Sequence, residues 1–152
     1  MFRIESEKDL IESFRLLDRE ELELPDGVSY PLDVKDYYSW TDASGHRAFV
    51  LFKGNDRRHP VGIAFRQGAG PAAPASMCEW CHSVRAGDAV TLMTATASAN
   101  RRVGLHLCRG ISCREKIEAA PGANDIPRNG DERGRMHQVV RRMGDFARRN
   151  LV

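Results

Sequence analysis

Two cysteine pairs constrain this chain more than any other feature. Cys78 and Cys81 lie in MCEWCHSVR, and after an interval of 26 residues Cys108 and Cys113 lie in CRGISCREKIE. A two-residue gap lets a tight turn present two thiolates to one ion, and zinc takes four such donors in a tetrahedron, with sulfur about 2.3 Å away. A β-hairpin predicted between the pairs would bring the second pair back to the first. The spacing therefore predicts one structural Zn²⁺ bound by Cys78, Cys81, Cys108 and Cys113.

The sequence also allows other roles for these residues. A Cys-x2-Cys pair can be a redox dithiol, and four cysteines can form a disulfide frame, although structural disulfides are uncommon in a reducing cytosol. His82 and His106 each neighbour a cysteine and could replace one as a ligand. Four thiolates leave no position for water or substrate, so we expect a structural site, not a hydrolytic one, and a protein that is not an enzyme.

Hydrophobic patterning predicts an α+β fold, with a small antiparallel sheet and flanking N- and C-terminal helices. The order of a cysteine turn, a β-hairpin and a second cysteine pair at the start of a helix predicts a treble-clef zinc finger within it. A helix is predicted over 6–24, with Leu10, Phe14 and Leu17 on its apolar stripe and a stop at residues 25–27. The turn at residues 42–45 predicts a hairpin, whose second strand is apolar throughout and therefore central. The final helix carries an apolar stripe of its own, formed by Met136, Val139, Val140, Met143 and Phe146.

The domain organisation follows from these elements. Residues 1–152 are expected to form a single domain, with an N-terminal helix in 1–27 and a β segment in 28–76. The treble-clef zinc finger occupies 77–121, and 122–152 hold a loop and a basic C-terminal helix. Within this plan, loops are predicted at 68–74 and 122–134, and ANRR at 99–102 is expected to be the turn of the zinc-finger hairpin.

The charge of the chain is unevenly distributed. Residues 1–76 hold 10 basic and 13 acidic side chains, whereas residues 77–152 hold 13 basic and 8 acidic ones. A basic half suggests a polar partner surface, although two solvated helix faces would give the same composition. The candidate partner-binding residues are the arginines of the predicted hairpin tip and of the final helix, Arg101, Arg102, Arg141 and Arg142.

The location of the protein is also predicted from the sequence. Residues 1–14 contain no apolar run of signal-peptide length, and no stretch approaches the roughly 18 apolar residues that span a bilayer. We therefore expect a cytoplasmic protein with no membrane contact.

Three stretches carry a resemblance to a known family. SWTDASGHRAFVLFKGNDRRHPVGIAFRQ, MCEWCHSVRAGDAVTLMTATAS and RRVGLHLCRGISCREKIE resemble the C-terminal treble-clef zinc-finger domain of elongation factor G-binding proteins, the FusB-type fusidic-acid resistance family. The resemblance implies that Cys78, Cys81, Cys108 and Cys113 bind zinc. It also implies elongation factor G as a partner, since the resistance proteins help this factor to leave the ribosome when the drug has trapped it. Those proteins carry a sizeable N-terminal helical domain, whereas this chain has room for one helix ahead of its β segment.

The resulting functional expectation is a non-enzymatic zinc-binding protein that binds the translation machinery, namely elongation factor G on or off the ribosome. The alternative is a zinc-finger protein that binds RNA or the ribosome through its basic C-terminal half. GAG at 68–70 and GNDRRH at 54–59 do not match phosphate-binding or catalytic motifs, and no small-molecule substrate is expected.

Overall fold

A five-stranded antiparallel sheet lies at the centre of the computed structural model, which describes residues 1–54, 58–68, 75–87, 89–119 and 132–151. The elements in chain order are β1 (Phe2–Ile4), α1 (Glu7–Glu12), α2 (Leu16–Arg19), β2 (Leu32–Val34), β3 (Tyr37–Thr41), β4 (Arg47–Phe52), β5 (Val61–Gln67), β6 (Ser76–Met77), β7 (Val84–Arg85), β8 (Val90–Ser98), β9 (Arg101–Cys108), a 3₁₀ turn (Arg109–Ile111), α3 (Cys113–Glu118) and α4 (Glu132–Asn150). The central sheet has the strand order β3-β4-β5-β8-β9, and β1-β2 and β6-β7 form two small antiparallel pairs. The predicted α+β class is confirmed.

Strand β4 is buried on both faces, which explains its unbroken apolar sequence. Successive side chains of a strand point to opposite faces. Ala48, Val50 and Phe52 belong to one hydrophobic cluster, whereas Phe49 and Leu51 belong to a second cluster on the other face. The predicted turn at residues 42–45 joins β3 to β4, with Tyr37 opposite Phe52 at the far end of the hairpin.

The first cluster joins the sheet to α4 and to the cysteine-bearing segments. Met136, Val139 and Met143 of α4 are buried in it, so the apolar stripe predicted for the final helix is confirmed. Trp80, between the first two cysteines, packs edge-on against Phe65 of β5, with ring centroids 5.8 Å apart, and against Phe146 of α4 at 6.2 Å. Trp80 is therefore a core residue that connects the cysteine turn, the sheet and the last helix.

The prediction of one helix over 6–24 is wrong, although its start is right. The Ser6 hydroxyl accepts a hydrogen bond from the Asp9 amide, as a helix N-cap does, but α1 ends at Glu12 and α2 spans only Leu16–Arg19. The backbone of Arg15 between them is extended, with ψ at 152°. The Ser13 carbonyl accepts from the amide of Gly62 in β5 at 2.9 Å, and the Ser13 hydroxyl donates to the Leu10 carbonyl at 2.6 Å. These bonds outside the helical ladder break the helix.

The interruption of the helix at Arg15 divides the apolar stripe predicted for residues 6–24 into a buried part and an exposed part. Leu10 and Phe14 are buried in the second cluster, but Leu17 is 49% exposed. That cluster also contains Ile4 of β1 and Val34 of β2, two short strands that the sequence does not predict.

The zinc-finger hairpin has a tighter turn than the one predicted. Arg101 pairs with Ser98 and Arg102 with Thr96, so both arginines belong to β9 and not to the turn. Most of the loops predicted at 68–74 and 122–134 lie outside the described residues. Among the helices described, none is both long enough and apolar enough to cross a membrane.

Candidate metal centre

The four cysteine sulfurs converge on one point. All four Sγ atoms lie within 4.8 Å of one another, with Cys78 and Cys113 at 3.7 Å and Cys81 and Cys108 at 3.5 Å. A disulfide would need about 2.05 Å, so the thiols are free. A tetrahedron with metal–sulfur bonds of about 2.3 Å has edges of about 3.8 Å. The sulfur positions therefore fit one zinc ion, as the cysteine spacing predicts.

A tight turn at residues 78–83 positions the first two ligands. The His82 amide donates to the Cys78 carbonyl at 2.9 Å, and the Cys81 amide points at the Cys78 sulfur at 3.5 Å. His82 has φ at 64°, in the left-handed region, which turns the chain back so that β7 can pair with β6. This turn holds both sulfurs on its inner side.

The β8–β9 hairpin brings the third ligand to this turn. Cys108, the last residue of β9, lies opposite Val90, the first residue of β8. The Glu79 amide donates to the His106 carbonyl at 2.8 Å, and the His106 amide donates to a Glu79 carboxylate oxygen at 2.6 Å. His106 thus contributes its backbone to the docking of the cysteine turn onto β9. Neither His82 nor His106 joins the group of metal-ligating atoms found among the described residues.

The fourth ligand, Cys113, is the first residue of α3 and is held in place by β3. The hydroxyl of the buried Tyr37 donates to the Ile111 carbonyl at 2.7 Å and accepts from the Arg114 amide at 2.9 Å. Burial raises the pKa of this phenol well above its usual range, so Tyr37 stays neutral and can donate. Gly110, with φ at 66°, donates its amide to the Gln67 side chain. The sheet therefore fixes both ends of the segment that connects Cys108 to Cys113.

Four thiols this close together can all ionise only beside a bound cation. Hydrogen bonding with Cys108 lowers the pKa of the Cys81 thiol, and hydrogen bonding with the same Cys108 raises the pKa of Cys113. Four ionised thiols within 4.8 Å of one another would repel strongly without a metal. Zinc, when bound, neutralises part of this charge and cross-links the two cysteine pairs. Because four sulfurs complete its tetrahedron, the ion would keep no position open for water or substrate, and the site is structural.

The four arginines predicted at a partner surface lie in different places. Arg101 and Arg102 are exposed at the start of β9, and Cys108 is at its other end. Arg141 is exposed on α4, but Arg142 is partly buried and donates to the Trp80 carbonyl at 2.6 Å. Arg142 therefore ties α4 to the cysteine turn, a role that the sequence does not reveal.

A second arginine contact that the sequence does not reveal connects the zinc finger to β3 and α4. The carboxylate of Asp36 is buried and forms ion pairs with Arg114 of α3 at 3.5 Å and with Arg133 of α4 at 3.0 Å. Arg114 also donates to the carbonyls of Lys35 and Tyr37 and lies over the Tyr37 ring at 5.0 Å. A basic residue directly after Cys113 is the only local sign of this network in the sequence.

Comparison with known proteins agrees with this geometry. The family model described as FBP C-terminal treble-clef zinc-finger matches residues 9–149. Among solved structures, the fusidic acid resistance protein FusC is similar, with 19% sequence identity and a TM-score of 0.55. The match covers 74% of this chain and 52% of FusC, so the chain spans about half the length of that protein. No curated protein matches the chain.

Proposed function

Because the chain belongs to the FBP C-terminal treble-clef zinc-finger family, we propose that it binds elongation factor G, on or off the ribosome, as a non-enzymatic zinc-binding protein of the cytoplasm. The observation that carries the proposal is the closed four-sulfur site inside a family match that covers 9–149. Such a site stabilises a binding surface and offers no chemistry of its own. The proposed function is binding alone, since the chain spans only about half of FusC.

The partner surface proposed for this function includes the exposed arginines Arg101, Arg102 and Arg141. An exposed arginine at the rim of an interface acts mainly on the rate of association and on its salt dependence. Arg142, which donates to the Trp80 carbonyl, would support the surface from inside and not contact the partner.

The direct test is a binding measurement between the purified zinc-loaded protein and purified elongation factor G. We expect saturable binding at micromolar concentration in low salt, and a Kd at least about threefold weaker for the variant Arg101→Glu/Arg102→Glu because its association is slower. Elongation factor Tu serves as the control GTPase and should not bind. Absence of binding to elongation factor G at tens of micromolar in low salt would rule the proposal out.

The second candidate function is RNA or ribosome binding. The observation that favours it is the pair of exposed arginines at the start of β9. Phosphate contacts release counterions, so binding to ribosomal RNA should weaken steeply between about 50 and 200 mM salt. Ribosome pelleting at both salt concentrations tests this, and absent or salt-independent binding would remove the candidate.

A further inference from the structure

A groove of about 890 Å³ runs between α4 and the N-terminal strand, and its lining includes Arg141, one of the arginines proposed to bind elongation factor G, but neither Arg101 nor Arg102. We call it the α4 groove, and the lining residues that matter here are Phe2, Lys53, Arg133, Arg141, Asp145 and Arg148. Lys53 directly follows the last residue of β4, so the groove also borders the end of that strand.

Basic side chains outnumber acidic ones in the α4 groove. Lys53, Arg133, Arg141 and Arg148 line it together with two carboxylates. Each carboxylate is already paired: Asp36 with Arg133 and with Arg114, and Asp145 with Arg148. Lys53 and Arg141 are exposed and have no ion pair or hydrogen bond within the described ranges. The α4 groove therefore offers two cations whose charge no described carboxylate offsets.

The cations follow one line along α4. Arg133 and Arg141 are eight residues apart and Arg148 lies seven residues further on, spacings that keep side chains on one face of a helix. At 1.5 Å per residue, the distance from Arg133 to Arg148 is about 22 Å. An extended peptide covers that distance with about seven residues at roughly 3.3 Å each. The α4 groove has the length and the charge to hold a short acidic strand.

We propose that the α4 groove binds an extended acidic segment of a partner protein. A phosphate backbone carries a charge at every nucleotide and would face Asp145, which is 34% exposed. A peptide can place carboxylates opposite Lys53 and Arg141 and a neutral residue beside Asp145. It can also place apolar side chains against the half-buried Phe2 and Val140, which line the same groove. The mixed lining fits a polypeptide better than a nucleic acid. The proposal goes beyond the proposed function, because it shares only Arg141 with the surface proposed for elongation factor G and does not require that the protein binds that factor.

The test uses a displayed library of random peptides of about twelve residues, long enough to span the α4 groove. Peptides are selected on the zinc-loaded wild-type chain and counter-selected on the variant Lys53→Glu/Arg141→Glu. Both substituted residues are exposed, and unchanged zinc content and melting temperature would show that the variant is folded. The matched control is Arg101→Glu/Arg102→Glu, which reverses the same number of charges at the start of β9.

The survivors, that is, the peptides that bind the wild-type chain and not the α4 groove variant, should be enriched in aspartate and glutamate. A synthetic copy of a survivor should bind the wild-type chain at least about tenfold more tightly than the α4 groove variant, and within about twofold of the control variant. The proposal is overturned if no peptide survives, if the survivors are not acidic, or if both variants weaken binding equally. It is also overturned if polyuridine RNA binds the wild-type chain more tightly than the survivors and loses that binding in the α4 groove variant.

Discussion

Phe14 and Leu17 give the sharpest test of how the N-terminal segment packs. The sequence places both on one apolar stripe, whereas the structure buries Phe14, at 1% exposure, and leaves Leu17 49% exposed. Substituting each residue with alanine distinguishes the continuous apolar stripe predicted from the sequence from the packing seen in the structure. We expect Phe14→Ala to destabilise the protein strongly and Leu17→Ala to change its stability little.

The magnitude follows from the contacts of the Phe14 ring. It packs edge-on against Trp40, with centroids 6.0 Å apart, and against Phe49 at 6.1 Å, and each such pair contributes about 0.5–1.5 kcal/mol beyond area burial. With the lost transfer free energy and the cavity left behind, Phe14→Ala should lower the free energy of unfolding by about 3–5 kcal/mol. Leu17→Ala should stay within about 0.5 kcal/mol, as surface substitutions usually do.

Urea denaturation followed by circular dichroism measures both values. With a slope of about 2 kcal/mol per molar urea, Phe14→Ala should move the midpoint down by about 2 M, while Leu17→Ala should move it by less than about 0.3 M. Zinc is kept in excess so that metal loss does not contribute. Equal destabilisation by the two substitutions, or a loss below about 1 kcal/mol for Phe14→Ala, would refute the packing described for this segment.

Three further predictions concern zinc binding by Cys81, the packing of Gly62 against Phe14 and the pH dependence of stability that arises from Asp18. Cys81→Ser should reduce bound zinc, measured by mass spectrometry of the metal, to a small fraction of one ion and lower the melting temperature; full zinc with unchanged melting contradicts the ligand assignment. Gly62→Ala would place its Cβ 2.5 Å from the Phe14 ring, so we expect it to destabilise the protein by about 1–3 kcal/mol in thermal melts, and a neutral outcome would show that the ring can move aside. Burial raises the pKa of Asp18 despite its pairing with Arg15, so the native chain holds this proton more tightly than the unfolded chain does. The stability that Asp18 adds is therefore complete below about pH 4 and declines as pH rises through the folded pKa. In urea melts, Asp18→Asn should gain stability relative to the wild type as the pH rises above about 4, the ordinary pKa of an aspartate, and a difference that does not change with pH contradicts the shift.

The metal site was predictable from the sequence because its chemistry is local. Two pairs of cysteines at short spacing identify the four sulfur atoms that bind zinc. The hairpin between the pairs is recognisable from two runs of strand-forming residues and a turn. The hairpin at residues 42–45 and the apolar strand after it were predictable for the same reason. In each case, neighbouring residues carry the signal.

The break at Arg15 was not predictable, because its causes are distant in the chain. The Arg15 guanidinium donates to the Thr96 carbonyl and lies 3.4 Å from the Leu151 carbonyl, and the Ser13 carbonyl accepts from Gly62. Periodicity over 6–24 contains no information about these partners, so tertiary contacts override the helix propensity of the segment.

The role of Arg142 was hidden for a similar reason. An arginine in a basic helix suggests an exposed contact, but its guanidinium meets the Trp80 carbonyl 62 positions earlier in the chain. The short strands β1 and β2 were also missed, since three residues each give too little alternation to recognise.

The most direct test of the central claim, that four thiolates enclose one structural zinc ion, is X-ray absorption at the zinc edge of the purified protein. We expect one zinc ion per chain with a first shell of four sulfur atoms at about 2.3 Å and no nitrogen or oxygen neighbour. A first shell that contains a light atom at about 2.0–2.1 Å, from a histidine or from water, would contradict the claim and reopen the site to catalysis.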